Sequence, residues 1–249
     1  MEPEDRVVLR LEGVRKAFGK KVVLAGLDLS VRRAEILVIL GRSGAGKSLT
    51  LKTLTGLVRP DSGTITAFQR DVLTLDEREM RRLRRRFGYV FQGGALLNWL
   101  TAGENVALPL RENDLCPESE VPDRVHKALE SVDLADAAPL YPDQLSGGMR
   151  KRVAVARSVA QEPVAILYDE PTTGLDPITT ATIDRTILST RDRTGLTSVV
   201  ISHDLVSTWR IADRVAFLHE GQILACTSPE EFRARTEEPI RRFLDAQPE

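Results

Sequence analysis

Near the start of the chain, apolar and polar residues alternate in two stretches, VVLRLEGVRKAF from residue 7 and KVVLAGLDLSV from residue 21. Successive side chains of a strand point to opposite faces, so this alternation predicts antiparallel strands with one buried face. The pattern changes at ILVIL, residues 36–40, where every residue is apolar. A continuous apolar run of this length is typical of a strand buried on both faces. We therefore expect an antiparallel piece that leads into a buried sheet.

Buried strands and helices alternate through much of the remaining chain. We expect further buried strands at VAILY (164–168) and LTSVVIS (196–202), and a segment with helical spacing follows each of them. This alternation predicts a mainly parallel sheet. Near the end we expect a hairpin of RVAFLHE and GQILAC, then a helix opened by a capping box of Ser228 and Glu231.

The stretch between about residues 93 and 142 has a different character. It contains several prolines, few β-branched runs and helical segments such as DRVHKALESVDL. We interpret it as a mostly helical insert with loop breaks. The segment GMRKRVAVARSVA at 148–160 then has the spacing of an amphipathic helix.

Composition limits the classes of function. The formal net charge is −1 over 249 residues, so no global basic field attracts nucleic acid or a membrane surface. The two cysteines, Cys116 and Cys226, lie far apart in sequence, which suits a reducing compartment and offers no zinc site. The longest strongly apolar stretch, 36–40, is far too short to span a bilayer. We expect any membrane role to come through a partner.

One basic run, RRLRRRF at 81–87, allows two interpretations. It is either a nucleic-acid patch or the solvated face of an ion-paired helix. Asp76, Glu77 and Glu79 precede the run on the same helix, and no aromatic residues interleave with the bases to stack on nucleotides. The solvated helix is the better interpretation, and we expect no nucleic-acid partner.

The first chemical motif is a glycine-rich loop, GRSGAGKS, between a buried strand and a helix. It fits the phosphate-binding pattern G-x-x-x-x-G-K-[ST] in its required context. Glycines let successive N–H groups point at phosphate oxygens, and the helix start adds its positive dipole end. We expect Lys47 to reach the β- and γ-phosphates and Ser48 to bind Mg²⁺. The predicted nucleotide-binding residues here are Gly41, Arg42, Ser43, Gly44, Ala45, Gly46, Lys47, Ser48 and Leu49.

Two adjacent acids, Asp169 and Glu170, follow the apolar run VAILY. The carboxyl end of a buried strand in such a sheet lies beside the phosphate loop. We expect Asp169 to hold Mg²⁺ through water and Glu170 to polarise an attacking water. The alternative, that the acids only end a strand and cap the next turn, is weakened by the presence of the glycine-rich loop.

Three further polar residues stand after predicted strands or turns. Gln92 ends RFGYVFQ, and His203 follows SVVIS, so both exit core strands. A contact between His203 and the γ-phosphate is therefore plausible, although a lone histidine after a strand is usually structural. Asp176 in TTGLDP has the alternative role of a helix N-cap ahead of Pro177.

The chain contains an ordered set of motifs, which are Gly41–Ser48, Gln92, LSGGM at 145–149, YDEP at 168–171, Asp176 and His203. As a set they resemble the nucleotide-binding subunit of ABC transporters, over nearly the whole chain. The resemblance implies an α/β fold of the P-loop NTPase ABC ATPase type, with a mainly parallel core sheet, an antiparallel N-terminal β subdomain and an inserted helical subdomain. It implies one domain, 1–249, with a RecA-like core of 1–92 and 160–249 and a helical subdomain of 93–159. The family names map to Walker A at 41–48, the Q-loop at Gln92, the signature at 145–149, Walker B at 164–169, the D-loop at Asp176 and the H-loop at His203.

The resemblance also implies the roles of these residues, with ATP and Mg²⁺ as cofactors. Catalysis falls to Glu170, His203 and Gln92, and the metal to Ser48, Gln92 and Asp169. Phe18 in KAFGKK matches the aromatic position that stacks on adenine, where tyrosine is more usual. A phenyl ring can still stack, and the alternative is that Phe18 is a core aromatic.

The segment DQLSGGMRKR contains the signature residues Ser146, Gly147, Gly148 and Met149. In this family the signature closes over the nucleotide of the other subunit, which implies a head-to-tail homodimer of ATPase subunits around two ATP molecules. We expect its glycines to be present because a Cβ atom would block close approach to phosphate.

Met149 stands where the commoner signature has glutamine. LSGGM is usual in the ATPases of Mla-type systems, and FQGGALLNWLTAGENVALPLRE at 91–112 also resembles that branch. This resemblance implies phospholipid movement between the inner and outer membranes, with an MlaE-like integral membrane permease, an MCE-domain protein and a STAS-domain accessory protein as partners. The chain would be cytoplasmic and peripheral on the inner membrane. The alternatives are another cargo, such as an amino acid, an ion or a lipoprotein, or a soluble ABC protein without a transport role.

Trp99, Leu96 and Leu97 form a small apolar cluster after Gln92. It belongs either to the core of the insert or to a groove that faces the permease.

Overall fold

The computed structural model describes residues 6–246, which divide into two compact units. One unit runs to Arg84 and resumes at Thr197, and the other spans Arg85–Leu196. The predicted helical subdomain, 93–159, lies within the second of these units, and its bounds stay a prediction.

The described residues form strands and helices in the following order. The strands are β1 (Val7–Phe18), β2 (Lys21–Arg32), β3 (Ile36–Leu40), β4 (Ser62–Ala67), β5 (Arg70–Asp71), β6 (Phe87–Val90), β7 (Ala165–Asp169), β8 (Thr197–Ile201), β9 (Arg214–His219) and β10 (Gln222–Thr227). The α-helices are α1 (Lys47–Leu54), α2 (Glu77–Arg84), α3 (Ala102–Glu112), α4 (Val121–Glu130), α5 (Gly147–Val159), α6 (Pro177–Thr194), α7 (Leu205–Ile211), α8 (Pro229–Arg233) and α9 (Glu238–Asp245).

The N-terminal strands of the first unit form an antiparallel sheet in the order β2-β1-β4-β5. Leu9, Leu11 and Val14 of β1 are fully or almost fully buried. The predicted antiparallel piece is therefore confirmed, and one face of it contributes to the core of this unit.

The second sheet region of the first unit is centred on β3. This strand pairs in parallel with β8 on one side and with β9 on the other, and β10 adds to β9 in the antiparallel sense. All five residues of β3 and all five of β8 are buried. Strands covered on both faces favour apolar side chains at successive positions, which explains the apolar run of 36–40, whereas β8 also buries Thr197 and Ser198.

The last helices of the first unit cover β9 with aromatic side chains. The ring of Phe217 lies 5.9 Å from that of Phe232 on α8 and 5.1 Å from that of Phe243 on α9, measured between centroids. The predicted capping box of Ser228 and Glu231 opens α8.

The basic helix α2 also belongs to the first unit. Met80 and Leu83 are buried, and Arg84 donates hydrogen bonds to the carbonyl oxygens of Thr55 and Gly56. Glu79 is ion-paired with an arginine outside its own helix, in β5. The basic run is thus partly used to fix the end of α1.

In the second unit, β6 and β7 pair in parallel, α5 packs against β6, and α3, α4 and α6 pack against α5. Gly88 of β6 allows α5 to approach closely, because a Cβ atom there would lie 2.8 Å from the Cβ of Ser158. Fully buried Asn105 on α3 binds the backbone of Leu97 with both its carbonyl oxygen and its amide group, which orders the loop after β6. Among the described residues, none of the helices has the length and apolar character needed to cross a membrane.

Candidate nucleotide-binding site

The glycine-rich loop connects the end of β3 to the start of α1. Gly44 and Gly46 adopt left-handed conformations, with φ of 79° and 106°, which favour glycine over residues with a side chain. The ammonium group of Lys47, only 6% exposed, donates to the carbonyl oxygens of Gly41 at 2.7 Å and Arg42 at 3.2 Å. These bonds fix the loop beside the start of the helix, and they place the positive charge of Lys47 within the loop.

The N-terminus of α1 has the form of an anion site. Gly46 is its N-cap and makes no side-chain hydrogen bond to the first turn, whose amide groups point out of the helix end. A Cβ atom on Gly46 would lie 3.2 Å from the carbonyl oxygen of Val23, so the loop also needs glycine for close packing. Ser48 lies in this first turn, where a helix dipole favours negative charge.

His203 lies at the same sheet edge as the glycine-rich loop. Ile39 of β3 is in register with Ile201 of β8, and His203 follows β8 after one residue. Two contacts fix the turn that contains His203. The amide of Asp204 donates to the Ser202 hydroxyl at 3.0 Å, and the Asp204 carboxylate caps α7. The histidine is exposed. The structure therefore brings this predicted residue and the loop of 41–48 to one edge of the first unit.

Phe18 ends β1 and is 55% exposed. The ammonium group of Lys16 lies 5.6 Å from the centre of its ring. The alternative of a core aromatic is therefore wrong, since more than half of the side chain is exposed.

The second unit places Gln92 and the acidic pair together. Val90 of β6 is in register with Tyr168 of β7, so both strands end at one edge. The side-chain amide of Gln92 donates to the Glu170 carboxylate at 3.4 Å. The Tyr89 hydroxyl donates to the Asp169 carboxylate at 3.5 Å. Burial first, and then the Asp169 charge, raise the pKa of Tyr89, so its hydroxyl stays protonated as a donor.

Glu170 has an unusual backbone. Its φ of 51° is left-handed, a conformation that costs free energy for a residue with a side chain and is retained where neighbours enforce it. The amide of Thr173 donates to the Glu170 carbonyl oxygen at 3.3 Å, and the Thr173 hydroxyl donates to the Glu170 carboxylate at 2.9 Å. The carboxylate is therefore held by both Thr173 and Gln92.

Ser146 is the N-cap of α5, and its hydroxyl oxygen accepts a hydrogen bond of 3.2 Å from the amide of Met149. Ser146 is exposed, whereas Gly148 is buried. A Cβ atom on Gly148 would lie 2.3 Å from Cγ2 of Thr179 on α6, and one on Gly147 would meet nothing closer than 3.6 Å. Packing within the chain thus requires glycine at position 148. This requirement is separate from the expected close approach of the glycines to phosphate.

Asp176 caps α6, as the alternative for this residue predicted. Its carboxylate accepts from the amides of Ile178 and Thr179, each at 3.0 Å, and from the Thr179 hydroxyl. The Thr179 hydroxyl is the main reason why the pKa of Asp176 is lowered from its usual value. A D-loop role for Asp176 stays a prediction beside this structural one.

Two other residues of interest face outward. Met149 lines an open cavity of about 370 Å³ whose lining includes Glu130, Asp133 and Asp136. Trp99 is 73% exposed, so core packing does not explain its presence after β6.

Sequence reasoning missed three residues that contact the acidic pair or its loop: Tyr89, Thr173 and Lys151. The lysine is 7% exposed and donates to the Thr173 carbonyl oxygen at 2.6 Å. Its signal in the sequence is a charge on the otherwise apolar face of the helix GMRKRVAVARSVA. Tyr89 and Thr173 carry no comparable signal, because their roles arise from contacts between separate elements.

A family model described as ABC transporter matches residues 24–173, more than half of the chain.

Relatives at the sequence level are methionine import ATP-binding proteins. MetN of Rhizobium johnstonii is 46% identical over 217 residues, which cover 87% of this chain and 60% of the relative. MetN of Brucella abortus is 44% identical over 216 residues, covering 87% and 58%. The chain thus spans about 60% of the length of the curated relatives it matches.

Solved structures of similar fold are ATP-binding cassettes. The dimeric cassette MJ0796, in a post-hydrolysis state bound to ADP and Pi, has a TM-score of 0.79 and 32% identity, covering 89% of this chain and 98% of that one. The cassette cbiO1 from Clostridium perfringens, part of the ABC transporter complex cbiONQ, has a TM-score of 0.85 and 27% identity, covering 97% and 96%. The predicted fold class is confirmed.

Proposed function

Because the chain belongs to the ABC transporter family, we propose that it binds MgATP between two copies of itself and hydrolyses it to drive a membrane permease. The observation that carries this proposal is the loop of 41–48 at the end of β3, where a buried lysine and the N-terminus of α1 offer the chemistry of a phosphate site. We assign the complementary chemistry to the acidic pair at the end of β7.

We assign binding of the triphosphate to residues 41–49, with Lys47 on the β- and γ-phosphates. Phe18 stacks on adenine through its exposed ring. His203 contacts the γ-phosphate from the turn after β8. In the second copy, Ser146, Gly147, Gly148 and Met149 cover the same nucleotide, and Asp176 lies in the loop beside it.

The residues present fit Mg²⁺. Among residues 6–246, no group of three His, Cys, Asp or Glu side chains is arranged to hold a metal by itself. Mg²⁺ is usually held by one or two protein oxygens together with phosphate oxygens of the substrate. Ser48, Asp169 and Gln92 offer such oxygens. The bound ion would neutralise charge on the phosphates.

Glu170 is the base in this proposal. A carboxylate that accepts hydrogen bonds from Thr173 and Gln92 is oriented, and it can polarise a water for attack on the γ-phosphate. Glu170→Gln keeps the shape of the side chain but cannot accept the proton. We expect this variant to retain MgATP, to accumulate as a dimer in size-exclusion chromatography and to stop hydrolysing. The exposed Glu162→Gln on the same unit is the control. Hydrolysis by Glu170→Gln at the wild-type rate would refute the assigned role.

The cargo proposal follows the sequence relatives. Proteins named for methionine import are 46% and 44% identical to this chain, which favours an amino acid as cargo. The chain would then act at the cytoplasmic face of the membrane, attached through its permease. The exposed residues after β6, including Phe91 and Trp99, are the surface we assign to that permease.

Phospholipid is the second candidate cargo. The observations that favour it are Met149 in the signature and the Mla-like sequence at 91–112. It would require an MlaE-like permease with an MCE-domain protein and a STAS-domain protein. Purification of the intact membrane complex through a tag on this chain distinguishes the two candidates. An amino-acid-binding protein and bound methionine support the first, whereas an MCE-domain protein with bound phospholipid supports the second.

A further inference from the structure

Lys151 is a buried charge that the nucleotide chemistry does not use. It lies on α5, five residues after Ser146, and is 7% exposed. Its ammonium group donates to the Thr173 carbonyl oxygen at 2.6 Å, a charge-assisted bond. Burial lowers the pKa of Lys151, and the nearby Glu170 charge acts in the opposite direction. Burial of the Lys151 charge costs desolvation free energy, and its bond to the loop carbonyl oxygen offsets part of that cost. The position of this loop is therefore what the buried lysine stabilises.

The loop that Lys151 binds is the one that holds Glu170. The same Thr173 donates its hydroxyl to the Glu170 carboxylate at 2.9 Å and its amide to the Glu170 carbonyl oxygen at 3.3 Å. Glu170 itself has the left-handed φ of 51°, which neighbouring contacts must maintain. Three residues therefore form a connected series from α5 to the carboxylate.

We propose that Lys151 and Thr173 are positioning residues for Glu170, so that the helix whose start is Ser146 sets the orientation of the base in the same chain. The inference rests on the proposed function and deepens it. Ser146 and Lys151 are five residues apart on one rigid helix, about 7.5 Å along its axis. A shift of α5 when its N-terminus engages the partner's nucleotide therefore moves the ammonium group and, through Thr173, the carboxylate. Occupancy of one nucleotide site is thereby communicated to the base of the other.

Kinetics of ATP hydrolysis by the full chain test the proposal. Thr173→Val keeps the shape of the side chain but removes the donor to Glu170, and we expect kcat to fall about 10- to 100-fold with KM for ATP unchanged. Thr173→Ser keeps the hydroxyl and should restore most of the lost kcat. Lys151→Met should lower kcat in the same way. The control is Arg152→Met on the same helix, which removes a comparable bond to the carbonyl oxygen of Val132 and should leave kcat near the wild-type value.

A double variant separates positioning from general damage. If Lys151 acts through Thr173, the variant with both Lys151→Met and Thr173→Val should lose no more kcat than the more affected single variant. The proposal is overturned if Thr173→Val hydrolyses ATP like the wild type, if Thr173→Ser fails to restore kcat, or if the two effects multiply. Absence of hydrolysis by the wild-type chain would instead refute the proposed function itself.

Discussion

Gly148 and Thr179 approach so closely that a Cβ atom on the glycine would lie 2.3 Å from Cγ2 of the threonine. The first turn of α5 and the first turn of α6 therefore meet at a point with no room for a side chain. Ser146 caps one of these helices and Asp176 caps the other, so the contact fixes both predicted nucleotide-facing segments relative to each other within the second unit.

Gly148→Ala should destabilise the protein by about 1–3 kcal/mol, since overpacking forces side chains or backbone to move. Thr179→Ser removes the clashing Cγ2 atom while keeping the hydroxyl, so the combined variant should recover most of the stability. Gly147→Ala is the matched control, because its added Cβ atom would meet only ordinary contact at 3.6 Å. Denaturant unfolding measures all four proteins. Equal destabilisation at positions 147 and 148 would contradict the packing argument.

Removal of the Asp176 carboxylate should lower stability in a pH-dependent way. The pKa of this group is lowered in the folded protein from 3.8, mainly by the Thr179 hydroxyl. A depressed folded pKa means that the stabilisation is present above pH 3.8 and is lost as the pH falls through the folded pKa. The Tm of Asp176→Ala should therefore lie below that of the wild type at pH 7, and the difference should narrow below pH 3.8. Asp192→Ala, which removes an acid from the same helix away from its start, is the control. A difference that is constant with pH would contradict this account.

The buried Lys47 should dominate nucleotide affinity. Lys47→Ala removes a charged donor from the phosphate loop, and we expect MgATP to bind about 10- to 100-fold more weakly. Lys52→Ala on the exposed face of the same helix changes net charge by the same amount and should bind MgATP normally. Isothermal titration calorimetry gives both dissociation constants. Similar weakening in both variants would show that overall charge, and not the loop, determines affinity.

The exposed ring of Phe18 should contribute to ATP affinity by stacking on the adenine ring. Phe18→Ala should raise the dissociation constant for ATP about 2- to 10-fold, in line with the modest free energy of an aromatic stack. Phe18→Tyr keeps the ring and should bind like the wild type. Val22→Ala, which removes an exposed apolar side chain from the neighbouring strand β2, should have no effect. Loss of affinity in the tyrosine variant would exclude stacking as the role of Phe18.

The sequence was sufficient for features that depend on neighbours along the chain. Largely apolar segments predicted the buried strands β3, β7 and β8, because a strand covered on both faces is mostly apolar along its length. The capping box at Ser228 depends on residues three apart, and it was predicted for the same reason.

Contacts between separate elements could not be predicted in this way. Lys151 and Thr173 are 22 residues apart, and their bond depends on how α5 packs beside the loop after β7. The contact of Gly148 with Thr179 also depends on how two separate helices pack. The sequence therefore predicts only that this glycine permits close approach to phosphate. The exposure of Trp99 likewise required the structure, since an apolar cluster in sequence is compatible with a core or a surface.

In the proposed dimer, each nucleotide site combines the phosphate loop of one copy with the Ser146 helix start of the other. Mixing two inactive chains tests it directly. Neither Lys47→Ala nor Ser146→Arg should hydrolyse ATP alone, but a mixed dimer contains one site in which both elements are intact. An equal mixture should therefore recover up to about a quarter of the wild-type sites, since half of randomly paired dimers are mixed and each has one intact site. Mixing Lys47→Ala with a chain that carries both changes is the control and should stay inactive. Recovery of hydrolysis in the first mixture alone supports the shared site, and a first mixture as inactive as the control would contradict it.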